Sequence, residues 1–70
     1  MLRQRVKSSE LRSVGYDDSA SLLEAEFQSG EVYQYFNVPA ELVLELLNAD
    51  SLGRYFNAHI RPKFNFKKVR

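Results

Sequence analysis

The sequence predicts a small α+β domain, in which a three-stranded antiparallel meander is followed by two short helices packed on one of its faces. Residues 11–37 alternate between apolar and polar positions with a period of two and are interrupted by turn residues. Residues 39–61 instead carry apolar side chains at helical spacing. The chain has no linker and no internal repeat, and 70 residues are enough for one core. We therefore expect a single domain over residues 1–70, with loosely ordered tails at 1–8 and 67–70.

Three strands are predicted, at residues 11–16, 22–28 and 31–37. The first has an imperfect alternation, because Leu11 and Val14 are three residues apart, and this predicts a bulge. The second alternates three apolar residues with two carboxylates, in the order Leu23, Glu24, Ala25, Glu26 and Phe27. Such a strand is buried on one face and solvated on the other.

The turn between the second and third strands predicts their register. A two-residue turn would require positive φ at Ser29, which serine tolerates poorly, whereas a three-residue loop requires it only of Gly30. That loop pairs Ala25 with Tyr33 and Leu23 with Tyr35. Both tyrosines then share the apolar face with Phe27, and Gln34 lies opposite Glu24 on the outer face.

Two helices follow the third strand. The first begins at Pro39, whose missing N–H costs nothing there, and its apolar stripe consists of Leu42, Val43, Leu46 and Leu47. Ser51 caps the second, whose buried face consists of Leu52, Tyr55, Phe56 and Ile60. Pro62 ends the second helix. Residues 63–66 alternate and predict a final extended segment packed alongside.

Composition excludes several classes of site. The chain has no cysteine, so it has no disulfide, no thiolate metal site and no cysteine nucleophile, and a reducing cytoplasmic location is expected. Its apolar runs are too short to span a membrane. A hydrolase that uses His59 is one hypothesis, but the sequence shows no catalytic partner for it. We expect no enzyme activity, no metal and no cofactor.

Charge is distributed unevenly along the chain. Residues 1–9, 10–50 and 51–70 carry net charges of +3, −8 and +6. Basic ends around an acidic middle indicate an anionic partner that meets the termini. The alternative is that oppositely charged parts of one domain attract each other.

The second helix carries the candidate binding site. Ser51 and Gly53 lie at its N-terminus, where free N–H groups and the helix dipole attract anions. Basic and amide side chains that could surround a phosphate are Arg54, Asn57, Arg61 and Lys63, and the tail adds Lys67 and Lys68. The alternative is structural: Ser51 only caps the helix, Gly53 permits close packing, and Asn57 bonds to nearby backbone.

A series of short motifs runs through almost the whole chain. They are Val6-Lys7-Ser8-Ser9, Val14-Gly15-Tyr16-Asp17, Leu23-Glu24-Ala25-Glu26-Phe27, Tyr33-Gln34-Tyr35, Val38-Pro39, Ser51-Leu52-Gly53-Arg54-Tyr55-Phe56-Asn57 and Ile60-Arg61. In this order and spacing they resemble the KTSC domain, a segment found at the C-terminus of some lysyl-tRNA synthetases and also as a stand-alone bacterial protein. The resemblance implies RNA, including tRNA, as a partner, and it brings no catalytic residues.

Two functions are therefore predicted from the sequence. The first is a small non-catalytic module that binds RNA or another nucleic acid through the second helix and the basic C-terminal segment. The second is a protein-interaction module, which would use an exposed strand edge together with Phe36 and Leu22. Neither prediction fixes the oligomeric state.

Overall fold

A computed structural model describes residues 3–70, which form one antiparallel sheet and a short helical layer. The elements in chain order are β1 (Arg3–Arg5), β2 (Leu11–Asp17), β3 (Leu22–Phe27), β4 (Val32–Tyr35), α1 (Ala40–Leu47), α2 (Leu52–Tyr55), a π-helical turn (Phe56–Ile60) and β5 (Phe66–Lys68). The five strands lie in the sheet in the order of the chain. The α+β class and the meander are thus as predicted.

The predicted number of strands is wrong, because the sheet has five strands and not three. The short strand β1 pairs with β2, and β5 pairs with β4, so both additional strands lie at the edges. Neither alternates between apolar and polar residues, since β1 reads Arg-Gln-Arg and β5 reads Phe-Lys-Lys. Backbone hydrogen bonds hold them, and their charges are typical of edge strands that must not pair with other chains. Residues 1 and 2 lie outside the described residues.

The hairpin between β3 and β4 confirms the predicted turn and register. Gly30 has a φ of +96°, its N–H donates to the carbonyl of Phe27 at 2.9 Å, and the N–H of Phe27 donates to the carbonyl of Glu31 at 2.9 Å. Leu23 pairs with Tyr35, Glu24 with Gln34, and Ala25 with Tyr33. The predicted irregularity in β2 is present between Leu11 and Ser13.

The core lies between one face of the sheet and the two helices. Tyr35 and Phe56 are only 2% and 0% exposed, and their rings meet edge to face with centroids 5.2 Å apart. Phe27 makes a similar edge contact with Phe56 at 5.6 Å. Tyr33 faces the same side but is only half-buried, at the rim of the core. The fully buried aliphatic residues around these rings are Leu11, Leu23, Val38, Leu46 and Ile60.

Both helices begin close to where the sequence predicts. Pro39 is the N-cap of α1, so the helix proper starts at Ala40. The hydroxyl of Ser51 accepts a hydrogen bond from the N–H of Arg54 at 3.3 Å and caps α2, as predicted. The helix then widens into a π turn, in which the N–H of Arg61 donates to the carbonyl of Phe56 at 3.0 Å.

Replacing Gly30 tests the hairpin. Because Gly30 has positive φ and a Cβ there would contact no other atom within 4 Å, backbone strain is the only local penalty. We expect Gly30→Val to lower the free energy of unfolding by roughly 1–2 kcal/mol or more. Gly30→Asn is the matched control, because asparagine tolerates this region, and it should cost less. Equal melting temperatures for the wild type and both variants would contradict this account.

Truncation of the two central tyrosines tests the packing. Tyr35→Ala should cost about 3–5 kcal/mol, which is the value for deletion of a buried aromatic ring. A domain of this size has a total stability of only ~3–5 kcal/mol, so this variant should be largely unfolded. Tyr33→Ala should cost less because the ring is half-buried. Thermal melts followed by circular dichroism measure both, and a native-like melt for Tyr35→Ala would refute the assigned core.

Candidate nucleic-acid interface

The second helix and the turn after it expose several cations. Arg54 lies in α2, Arg61 ends the π turn, and Lys63 follows Pro62 in the loop toward β5; all three side chains are exposed. Their helix is anchored from beneath by the buried residues Phe56 and Ile60. The sequence therefore orients these cations by burying the opposite side of the same helix.

Glu10 occupies the corner of α2 that the sequence predicts as an anion site. The amide nitrogen of Asn57 donates to both carboxylate oxygens of Glu10, at 3.0 and 3.1 Å. A Cβ on buried Gly53 would lie 3.5 Å from Cδ of Glu10 and 3.6 Å from the hydroxyl oxygen of Ser8. A Cβ there would make only ordinary van der Waals contacts, so close packing does not require glycine at this position, and the chain's own carboxylate lies where an external phosphate was expected. Sequence reasoning did not identify Glu10, because it is distant from Asn57 along the chain.

Arg61 is exposed but is positioned by aromatic neighbours. Its guanidinium lies over the ring of Phe27, 5.2 Å from the centroid, in a cation–π contact. Burial raises the pKa of Tyr35, and the nearby Arg61 guanidinium opposes that rise. Tyr35 is therefore a neutral phenol at physiological pH.

The two tail lysines lie on opposite faces of β5. Lys68 is opposite Tyr33 in the register, and its ammonium is 2.9 Å from Glu31. This contact lowers the pKa of Glu31 and raises that of Lys68. Lys67 is opposite Gln34 and lies on the outer face of the sheet. Lys67 is therefore open to solvent and has no carboxylate partner among residues 3–70, whereas Lys68 is already in an ion pair.

On the outer face of the sheet, the carboxylates of Glu24 and Glu26 are paired with arginines. Arg3 is 3.5 Å from Glu24, while Arg12 and Arg70 are 3.7 and 3.4 Å from Glu26. The hydroxyl of Ser13 also donates to Glu26 at 2.8 Å, and this bond is the main cause of its lowered pKa, to which the arginines add. Both carboxylates therefore act as internal partners.

Six of the ten basic residues have no carboxylate within 4 Å in residues 3–70. The four ion pairs engage Arg3, Arg12, Lys68 and Arg70. The cations that remain are Arg5, Lys7, Arg54, Arg61, Lys63 and Lys67. Four of these six come after Asp50, the last acidic residue in the chain. An unpaired, exposed cation of this kind is suited to contact phosphate.

A cleft of about 270 Å³ opens beside Arg61. Its lining is mixed: two aromatic rings, two carboxylates, a guanidinium and small polar groups. The residues that line it are Ser9, Glu10, Phe27, Gln28, Ser29, Glu31, Tyr33 and Arg61. The cleft is therefore continuous with the exposed cations through Arg61.

Residues 3–70 contain no cluster of three metal-ligating side chains. His59 is exposed, and its ring packs on Tyr55 with centroids 4.5 Å apart. The helices described in the structure are all too short to cross a membrane.

Comparison with known proteins establishes the family. The KTSC domain model matches residues 7–64. An uncharacterised protein of Stutzerimonas stutzeri is 52% identical over 63 residues, which are 90% of this chain and 89% of that protein. A lysine–tRNA ligase of Nostoc punctiforme is 38% identical over 63 residues, which are only 11% of the ligase.

A solved structure shows the same fold. The crystal structure of a KTSC domain protein from Yersinia pestis superposes with a TM-score of 0.95 at 38% sequence identity, covering 99% of this chain and 97% of that one. The match includes the edge strands, since it spans nearly every residue. The chain belongs to the KTSC domain family.

Proposed function

We propose that this domain binds RNA through the exposed cations of its second helix and the segment after it. The observation that carries the proposal is that Arg54, Arg61 and Lys63 have no carboxylate within 4 Å among the described residues. Lys67 adds a further unpaired charge, whereas Lys68 would first have to leave Glu31. The helix N-terminus is not part of the proposed contact, because Glu10 lies against Gly53.

The proposed mechanism is neutralisation of phosphates by a few fixed positive charges. Such contacts release counterions, so affinity falls steeply with salt and depends little on sequence. The charges of Glu24, Glu26 and Glu31 are already offset by other cations, whereas Glu10, which bonds to Asn57, is a carboxylate beside the interface. A module of this kind acts by binding and not by catalysis, and we expect it to act in the cytoplasm.

The relatives support the choice of RNA over other polyanions. Three lysine–tRNA ligases carry a segment 36–39% identical to this chain. Each segment is only about a tenth of its ligase. A basic domain attached to an enzyme that handles tRNA is well placed to contact that tRNA.

Charge reversal tests the interface. The variant Arg54→Glu/Lys63→Glu should lose most of its affinity for a short single-stranded RNA in fluorescence anisotropy at low salt, and wild-type affinity should fall linearly in a log–log plot against salt. The matched control is Arg5→Glu/Lys7→Glu, which makes the same change in net charge at two other unpaired, exposed cations. Equal losses in both variants would mean that only net charge matters, and absence of wild-type binding at low salt would refute the proposal.

A protein partner is the second candidate, and exposed apolar residues at the β5 edge favour it. Phe66 is 56% exposed and Phe36 37% exposed, and β5 has no neighbour on its outer side in the described sheet. An extended segment of another chain could add to such an edge. This candidate predicts that Phe66→Pro, which removes an exposed ring and an outward-facing N–H of the edge strand without changing any charge, abolishes partner binding and leaves RNA binding through Arg54 and Lys63 intact.

A further inference from the structure

We infer that the cleft beside Arg61 binds a single unpaired nucleobase, and that it prefers guanine. The inference rests on the proposed function, because it takes RNA as the partner and identifies where one of its bases would lie. The cleft volume of about 270 Å³ is just below the roughly 300–1,000 Å³ of sites for drug-sized ligands. One unpaired base can be accommodated in a cleft of this volume.

The cleft has an apolar wall suited to a flat ring. Tyr33 is half-buried, so part of its ring faces the cleft, and it meets Phe27 edge to face with centroids 5.5 Å apart. The guanidinium of Arg61 covers the ring of Phe27 and contributes a second planar group. Unpaired RNA bases are commonly recognised by stacking on aromatic rings and on guanidinium planes.

Two carboxylates supply charged hydrogen-bond acceptors to the cleft, beside the donors of Arg61 and the small polar groups. Glu10 and Glu31 both line it. Glu31 is ionised at neutral pH because the contact with Lys68 lowers its pKa. Each carboxylate has about four lone-pair positions, so both retain capacity after bonding to Asn57, Lys68 and Ser29.

Guanine is the base that matches these acceptors. Its Watson–Crick edge presents two adjacent N–H donors, at N1 and N2, which one carboxylate can accept together. Adenine, cytosine and uracil each place an acceptor beside their donor on that edge, and a carboxylate repels it. A carboxylate in the cleft therefore favours guanine by attracting its two donors, and it disfavours the other three bases by repelling their acceptors.

The cleft walls are held in place before any ligand binds. The side-chain amide of Gln28 donates to the carbonyls of Ser8 and Leu11, at 3.2 and 3.3 Å. Glu10 is fixed by Asn57, and Glu31 is fixed by Lys68. Pre-organisation lowers the cost of ordering these groups on binding. Arg61 lies between the cleft and the exposed cations Arg54 and Lys63. The phosphate of a nucleotide whose base occupies the cleft would therefore lie near the proposed interface.

Titration with mononucleotides tests the cleft directly. The intact chain, labelled with ¹⁵N, is titrated with GMP, IMP, AMP, CMP and UMP at constant ionic strength. GMP should shift the amide signals of residues 27–33 and 61, with a dissociation constant lower than those of the others by at least about fivefold. IMP lacks only the N2 amine, so it isolates one hydrogen bond without altering the protein. Equal shifts from every nucleotide, or none in residues 27–33, would overturn the inference.

A pair of isosteric variants provides the matched control. Glu31→Gln should abolish the preference for GMP over AMP, whereas Glu41→Gln removes the same charge from the exposed side of α1 and should preserve it. A preference that survives Glu31→Gln and also Glu10→Gln would refute guanine recognition by the carboxylates. The result is independent of the RNA interface: equal binding of all nucleotides near Arg54 and Lys63 would leave the proposed function standing while overturning the cleft.

Discussion

The packing of Phe56 against Phe27 and Tyr35 is the interaction on which the rest of the structure depends. These edge-to-face contacts, at 5.6 and 5.2 Å, join the second helix to two adjacent strands. A chain of 70 residues without disulfides has few other means of holding a helix to a sheet. The contacts in turn require the hairpin register set by Gly30, because a shift of one residue would turn Tyr35 to the outer face.

The core of the fold was predictable because buried apolar residues recur at regular intervals in the sequence. Strands β2, β3 and β4, the caps and the hairpin register followed from alternation and turn chemistry. The edge strands β1 and β5 were not predictable in this way, because their side chains are mostly charged and their pairing depends on the backbone. The positive φ of 52° at Ser21 marks a further limit, since serine was expected to avoid that region.

The candidate site was only partly predictable, because its charges are paired across long sequence separations. The exposed cations of the second helix followed from composition and helical spacing. The contact of Glu10 with Asn57 and the pairing of Arg70 with Glu26 both join residues more than 40 positions apart. Such contacts appear only once the sheet order is known. They change the interpretation, because Glu10 and Glu26 become internal partners, and of the cations after Asp50 only Arg54, Arg61, Lys63 and Lys67 remain unpaired among the described residues.

Phe27 contributes both to the stability of the fold and to the cleft that is proposed to bind a base. Its ring contacts Phe56 in the core and carries Arg61 on its surface, and it also lines the cleft. A ligand in the cleft therefore touches a residue that holds the second helix in place. Because the cleft exists only in the folded chain, any ligand bound there stabilises the fold by an amount that rises with the logarithm of its concentration over its dissociation constant. In a domain with so little spare stability, binding and folding are consequently coupled through one aromatic ring.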